Sequence, residues 1–277
     1  MRTDPLRVGA TRLHLQNPYE LAGEYHTVRP RYPDAAVAAL LADTENIADI
    51  GAGTGILTRQ LLAAAAENAK PLRIKAIEPS AQMRAQLAKN LHDSAANTRT
   101  SGTRRRETPA HSVEILSGTG EATGLPENSV DLVVYGQSWH WVAAQAAAVE
   151  AARLLETTHK NARLAIIYNQ LNVAVPWVKR LTRIMRSGDV QRPERPPTLT
   201  DIFNTPQLQV FDWARHPTPE QLMALGRSHS SYLQSNVTGR EHMQRNLSWY
   251  LYEHLGFKTG QTLEVPYRTL LWTATPR

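Results

Sequence analysis

The chain has 277 residues, 42% of them hydrophobic and 20% charged, which is ordinary globular composition with enough length to bury a sizeable core. No apolar run approaches the roughly 18 residues of a transmembrane span, and Met1 to Arg7 lacks the apolar stretch of a secretory signal, so a cytoplasmic protein with no membrane partner is expected. Cysteine is absent, which excludes disulfides, thiolate metal sites and a cysteine nucleophile.

The net charge is +6. It sits in two places. Residues 94–112 carry Arg99, Arg104, Arg105 and Arg106 against Glu107. Residues 179–195 carry Lys179, Arg180, Arg183, Arg186, Arg192 and Arg195 against Asp189 and Glu194, and the remaining chain is close to neutral. The first segment, rich in Ser, Thr, Gly and Arg, reads as a mobile surface loop. The second starts as a helix and must stop at Pro193 to Pro197.

Taken in order, Asp34 is placed to cap a helix through Leu41. Ile47 to Ile50 is a short apolar strand followed at once by glycines. Leu57, Leu61, Leu62 and Ala65 recur at helical spacing. Ile74 to Ile77 is a second strand, and Ser80 caps a helix carrying Met83, Leu87 and Leu91. Val113–Leu116, Val130–Tyr135 and Leu164–Tyr168 are further strands, with an alanine-rich helix over about 142–155. This alternation predicts a parallel sheet with right-handed crossovers. Beyond it, Val175–Met185 is helical and Leu208–Trp213 is a candidate strand. Thr218-Pro-Glu-Gln221 is a capping box, Met243, Leu247, Leu251 and Leu255 form one apolar helix face ended by Gly256, and Val265–Thr273 is a terminal strand. There is no internal repeat.

The chemistry-bearing string is Asp49-Ile-Gly-Ala-Gly-Thr-Gly55, between the first strand and its helix. Glycines there let the backbone approach a ligand at the carboxyl end of a central strand. The spacing departs from the dinucleotide fingerprint, with Ile56 at the third glycine position, and lacks the Lys of a phosphate-binding Walker loop. Glu78, at the end of the second strand, can accept hydrogen bonds from both hydroxyls of a ribose. The alternative is a tight turn with a surface glutamate.

Ala48-Asp-Ile-Gly-Ala-Gly-Thr-Gly55 with Ala76-Ile-Glu-Pro-Ser80 resembles the first two motifs of class I S-adenosylmethionine-dependent methyltransferases. Tyr25 to Pro33, Gly118 to Ala122, Ser129 to Val134 and Gln137 to Trp141 narrow the resemblance to the methyltransferase type 11 branch, which includes proteins similar to trans-aconitate methyltransferases. It covers roughly residues 20–170 well and the last third loosely. The resemblance implies an α/β, Rossmann-like seven-stranded sheet. The sheet is mostly parallel with an antiparallel last strand, has helices on both faces, and carries a helical cover. It divides the chain into an N-terminal closing segment (1–33), a cofactor core (34–170) and a substrate cover with the last strands (171–277).

For S-adenosyl-L-methionine, the resemblance places Gly51, Ala52, Gly53 and Thr54 beneath the amino-acid part. Glu78 would hold the ribose, Pro79 and Met83 would meet the adenine, and Thr119, Gly120 and Glu121 would line its other side. Gln137 and Ser138 would lie beside the methionine moiety, with Tyr25, Arg29 and Tyr32 closing over it. Relatives often have an aspartate near Thr119 and a proline-glycine-glycine turn at 157–161, and this chain departs from both.

Methyl transfer from a sulfonium is an in-line displacement, so a base is needed only where the acceptor must lose a proton. His140 lies where such a base could act, with Trp139 and Trp141 as flanking substrate walls. The alternative is a His140 that caps a turn between two core tryptophans. No metal site is expected.

C5-cytosine methylation is excluded by the missing cysteine. The Asn/Asp-Pro-Pro-Tyr/Phe element of amino-methylating nucleic-acid enzymes is absent after the fourth strand, where Gly136 to His140 stands. The expected function is methyl transfer to a small-molecule acceptor by a monomer or homodimer, with nucleic acid disfavoured. The cluster of Arg180, Arg183 and Arg186 suggests a carboxylate acceptor, and Trp177, Trp213, His229, Tyr232 and Trp249 are candidate wall residues. An RNA or protein methyltransferase docking through the basic segments is the alternative, and a cofactor-binding module without turnover is a third reading.

Overall fold

The computed structural model describes residues 28–100, 111–156, 159–188 and 190–277. One seven-stranded sheet organises them. Its strands are β1 (Asn46–Ile50), β2 (Leu72–Ile77), β3 (His111–Leu116), β4 (Leu132–Gly136), β5 (Arg163–Leu171), β6 (Gln207–Arg215) and β7 (Val265–Ala274). The order is β3-β2-β1-β4-β5-β7-β6. β1 to β5 pair in parallel, and β7 runs antiparallel between β5 and β6. This is the Rossmann-like sheet with one reversed strand that the resemblance implied.

Helices connect the strands: α1 (Asp34–Leu41), α2 (Ile56–Glu67), α3 (Ala81–Thr100) and α4 (Ala144–Leu154). The sheet is buried on both faces because successive side chains of a strand point to opposite sides. In β4, Leu132 and Val134 pack with Val37, Leu40, Leu61 and Ala65 of α1 and α2. Val133 and Tyr135 pack with Ala147, Ala151 and Leu154 of α4. Small alanines let α4 lie close to the sheet. A third apolar cluster lies beyond β5. It joins α5 (Pro176–Met185), α6 (Pro219–Arg227), the short α7 (Ser230–Leu233) and α8 (Val237–Ser248) through Val178, Leu181, Leu222, Leu225 and Leu247, resting on Val265 and Tyr267 of β7. At the sheet edge, Arg268 of β7 donates two hydrogen bonds, at 2.7 and 2.8 Å, to the carboxylate of its register partner Asp212.

Several local expectations meet corrections. Pro33, not Asp34, holds the N-cap position of α1, and Asp34 is its first helical residue with no side-chain cap. There the carboxylate complements the helix dipole instead. The segment expected to be a loop from residue 94 is helical through Thr100, because α3 continues, and β3 begins at His111; residues 101–110 lie outside the described residues. The last helix does not stay α-helical to Gly256. Past Ser248 it widens into a π-helical segment, Trp249–His254. The cap expectations at Ser80 and Thr218 match the structure. The Ser80 Oγ accepts from the Met83 amide at 3.3 Å, and Thr218 and Gln221 form a reciprocal capping box with Pro219 at the helix start. Among the described residues, no helix is long and apolar enough to cross a membrane.

Candidate active site

The carboxyl ends of the parallel strands open on a cavity of about 550 Å³. It runs along the sheet edge from β2 to β7, because residues at the ends of β2, β1, β4, β5 and β7 all line it. Such a crevice outside the carboxyl ends is where open α/β sheets place ligands.

The glycine loop forms one wall. Gly51, Gly53 and Gly55 have φ of 70°, 58° and 80°, a left-handed backbone that other residues adopt only at a cost. Each position has a different neighbour. A Cβ on Gly51 would lie 2.6 Å from the Ser138 Cβ, and one on Gly55 would lie 2.0 Å from the Leu87 side chain. On Gly53 the nearest atom would be the Met83 Sδ, at 3.7 Å. Two glycines thus permit close packing, whereas at the middle one a Cβ would meet only ordinary contacts.

Two carboxylates stand behind this loop. Glu78 accepts from the amides of Gly53 and Ser80, each at 2.9 Å. Asp49 accepts from the Thr58 hydroxyl at 2.6 Å. Burial pushes the Asp49 carboxyl up to about 6 against that hydrogen bond, and the neighbouring Glu78 charge adds to the rise. Glu121 accepts from the Ala143 amide at 2.7 Å, just ahead of α4, so it faces the cavity and serves the helix start together. The Tyr135 hydroxyl donates to the Gly120 carbonyl at 3.2 Å.

The turn after β4 supplies the next wall. Gln137 has φ 59°, a strained value for a residue with a side chain. It is held there by its own amide donating to the Ile167 carbonyl at 3.0 Å and its Nε2 donating to the Asn169 carbonyl at 2.6 Å. The Ser138 Oγ donates to the Ile50 carbonyl at 2.5 Å and so pins the start of the glycine loop. A one-turn 3₁₀ helix, Trp139–Trp141, follows. It turns the two tryptophans in different directions. Trp139 is buried against Tyr135 in edge-to-face contact, with ring centroids 4.8 Å apart. Trp141 is 49% exposed and lines the cavity. His140 also lines it, 5.1 Å from Trp141 and 6.4 Å from Tyr168 between ring centroids.

Segment 28–33 contributes Arg29, Pro30 and Tyr32 to the cavity lining and is tied on several sides. Tyr32 and Gln60 exchange two hydrogen bonds of 2.8 Å. Asn169 donates to the Arg31 carbonyl at 2.9 Å, and Arg215 to the Val28 carbonyl at 3.3 Å. Arg29 donates to the Ser228 carbonyl, just past α6, at 2.7 Å.

Of the residues expected at the site, Arg29, Tyr32, Gly51, Ala52, Gly53, Thr54, Glu78, Pro79, Met83, Thr119, Gly120, Glu121, Gln137, Ser138, His140 and Trp141 all line this one cavity. Trp139 does not, because the 3₁₀ turn buries it in the core. Tyr25 lies outside the described residues. The expected arginine cluster is also elsewhere. Arg180, Arg183 and Arg186 wall a separate surface cavity with His242 and Asn246, and the Arg180 guanidinium sits 5.4 Å from the Trp249 ring centroid and 5.1 Å from that of Tyr250. Of the candidate wall residues, His229 lines the site, whereas Trp177, Trp213 and Tyr232 pack against the third apolar cluster and Trp249 is exposed.

Comparison with known proteins decides the family. A methyltransferase-domain profile matches residues 48–158. An uncharacterised methyltransferase of Mycobacterium tuberculosis is 31% identical over 255 residues, covering 91% of this chain and 93% of the relative. The chain belongs to the class I S-adenosylmethionine-dependent methyltransferases. An uncharacterised methyltransferase of Schizosaccharomyces pombe is 28% identical over 234 residues, covering 81% and 82%. In fold, this methyltransferase resembles a protein from Anaeromyxobacter dehalogenans described as a type II methyltransferase, with 17% identity, a TM-score of 0.55, and 88% and 97% of the two chains covered.

The methyltransferase cavity also contains residues that the sequence did not single out for the site. Asp49 was legible as part of the glycine motif but not as a cavity wall. Tyr168, Thr182 and Tyr267 come from β5, α5 and β7 and meet only through the fold. Burial pushes the Tyr168 hydroxyl up to about 12, so it stays a neutral donor. It also holds the His229 imidazole down at about 3, with the Arg29 charge contributing, so that ring is neutral.

Proposed function

We propose that this methyltransferase moves a methyl group from S-adenosylmethionine to a small-molecule acceptor held in the same cavity. The carrying observation is the continuity of one walled space from the glycine loop and Glu78 to the far side beneath α5 and α6. A volume of about 550 Å³ is that of a small-ligand site.

The residues fit the cofactor. Gly53 lines the cavity, and a side chain there would meet the Met83 Sδ at ordinary contact distance, 3.7 Å. The Thr54 Oγ1 is buried without a hydrogen-bond partner, although buried polar atoms are ordinarily paired. In this reading Gly51 to Thr54 support the amino-acid part, Glu78 the ribose, and Pro79, Met83 and Thr119 to Glu121 the adenine. Gln137 and Ser138 lie beside the methionine moiety, and Arg29 and Tyr32, with Tyr25, close over it. Residues 34–170 are the cofactor core, 1–33 the closing segment and 171–277 the substrate cover. When bound, the sulfonium supplies a methyl group on an already activated leaving group.

The chain's own contribution is then placement. Holding two reactants in line supplies about 7–11 kcal/mol in favourable cases. Where the acceptor must lose a proton, His140 takes it. The other histidine among the described lining residues, His229, is too weak a base near neutral pH. Arg29 is the one lysine or arginine among the described lining residues, and it supports a carboxylate acceptor better than Arg180, Arg183 and Arg186 do. Those three arginines favour one second reading, docking of RNA or an acidic protein at the separate basic surface. A salt titration of RNA binding reads this, since phosphate docking has a steep negative slope.

Calorimetry with S-adenosylmethionine tests the first step, and failure to bind overturns the proposal. A screen of carboxylic acids and phenols with a homocysteine-release readout tests the second. Turnover on RNA or protein with none on small acceptors overturns the small-molecule reading.

A further inference from the structure

Asn169, near the carboxyl end of β5, holds several parts of the fold at once. Its Nδ2 donates to the Arg31 carbonyl at 2.9 Å. Its own backbone carbonyl accepts from the Gln137 Nε2 at 2.6 Å. Its Oδ1 accepts from the hydroxyl of Thr269, which is its register partner on β7 and is fully buried. The Thr269 Oγ1 in turn accepts from the Trp213 indole of β6 at 2.9 Å. A chain of hydrogen bonds therefore runs across three adjacent strands, β6, β7 and β5, to the segment before α1.

The chain has one allowed direction. An indole N–H can only donate, so the Thr269 oxygen is the acceptor toward Trp213 and its single proton goes to Asn169. The Asn169 amide is thereby oriented, with its oxygen toward Thr269 and its NH₂ toward Arg31. Turned over, it would set its oxygen against the Arg31 carbonyl oxygen. Removing any one link leaves a partner without its bond.

The chain ends on the cavity. Arg29, Pro30 and Tyr32, on either side of Arg31, line it, and Gln137 lines it from the turn after β4 with its φ of 59°. Asn169 holds the first wall through its side chain and the second through its backbone. Neither Thr269 nor Trp213 is among the described lining residues, so their effect on the cavity passes through Asn169.

Resting on the cofactor placement given above, we propose that Asn169 is a positioning residue for S-adenosylmethionine, oriented by Thr269 and Trp213. It keeps segment 28–33 and the Gln137 turn in the arrangement that receives the cofactor. A segment released from Asn169 is competent to bind for only part of the time, and the apparent affinity falls by that fraction. Both ends of the Asn169 amide have protein partners, so the residue acts through Arg31 and Gln137, not on the reacting atoms.

The test uses the full chain. Asn169→Asp is nearly isosteric, keeps the acceptor for Thr269 and sets a carboxylate oxygen against the Arg31 carbonyl. Thr269→Val removes the hydroxyl at nearly constant shape, and Thr269→Ser keeps it. The Tyr32 amide, which donates to the Gln60 Oε1 at 2.8 Å, reports on the segment by hydrogen exchange without any ligand. In Asn169→Asp and Thr269→Val it should exchange at least about 5-fold faster, and calorimetry should show S-adenosylmethionine affinity reduced at least about 5-fold, as expected when one hydrogen bond is lost and its partner left unpaired. Thr269→Ser should match the parent in both measurements, a rescue that a purely space-filling role would not require. Circular dichroism checks folding, and the Thr269 pair still decides the matter should Asn169→Asp fail to fold. Parental exchange or parental affinity in folded Asn169→Asp or Thr269→Val overturns the proposal, as does a Thr269→Ser protein as impaired as Thr269→Val. Parent protein that does not bind S-adenosylmethionine, with exchange still faster in Asn169→Asp, would instead leave the clasp standing and sink the cofactor reading.

Discussion

The Glu78 Oε2 accepts a hydrogen bond from the Gly53 amide at 2.9 Å, joining the end of β2 to the loop after β1. Its other oxygen holds the Ser80 amide ahead of α3. One carboxylate therefore sets the relative position of the two motifs. Glu78→Gln keeps one acceptor oxygen and turns an amide donor against one of the two backbone N–H groups. The expected cost is about 1–3 kcal/mol of stability, read by thermal melting. Calorimetry should show cofactor affinity reduced at least about 10-fold, and unchanged affinity would remove Glu78 from the cofactor site.

The three loop glycines should separate folding from binding. Gly55→Ala drives its methyl into Leu87 and should lower the melting temperature sharply, since overpacking adds to backbone strain. Gly53→Ala meets no close atom and carries only the left-handed penalty, about 1–2 kcal/mol. It should fold and yet bind cofactor poorly. A Gly53→Ala protein with parental affinity would contradict the placement of the cofactor over this loop.

Asp49 sets a pH dependence of known sign. Its folded pKa is raised from 3.8 to about 6, so the folded state favours the proton. Stability is greatest below about pH 4 with respect to this group, declines as pH rises through 6, and is then lower by up to about 3 kcal/mol. Asp49→Asn keeps an acceptor for Thr58 and should raise the melting temperature at pH 7.5 but not at pH 4. An equal effect at both would show that the carboxyl is not perturbed.

Glu150 works in the opposite sense. The Arg153 guanidinium, at 2.7 Å, and then Thr123 hold its carboxyl down at about 2. That stabilisation is present above pH 4.5 and is lost as pH falls toward 2. Glu150→Gln should therefore destabilise at pH 7 and converge with the parent in acid, as followed by melting across that range.

His140 and Trp139 are neighbours with separable fates. His140→Ala should lower turnover about 10²–10⁴-fold on an acceptor that must be deprotonated, with cofactor affinity intact. Trp139→Ala should cost about 3–5 kcal/mol of stability, because its ring fills the core beside Tyr135. Unchanged turnover in His140→Ala removes it from the chemistry.

The central strands were legible in the sequence because strands buried on both faces read as unbroken apolar runs, as Leu132 to Tyr135 does. The glycine loop was legible because turn chemistry is local. The continuation of α3 through Thr100 was not, since Ser, Thr and Arg near its end give no apolar stripe. Neither was the split between Trp139 and Trp141, which depends on a single 3₁₀ turn. The meeting of His229 and Tyr267 in one cavity lining was least accessible of all. His229 and Tyr267 are 38 residues apart in the chain, and no spacing rule relates a pre-helical residue to a position on an edge-side strand.

The two carboxylates behind the glycine loop bear on the order in which the products depart. Under the proposed reaction the sulfonium's positive charge disappears when its methyl group leaves. Asp49 and Glu78, at the ends of β1 and β2, then stand behind a neutral thioether. Their attraction has weakened at the moment the product forms, whereas the acceptor's own contacts gain no such change of charge. Spent cofactor would thus be the first to loosen, and the ratio of product inhibition constants would record that order.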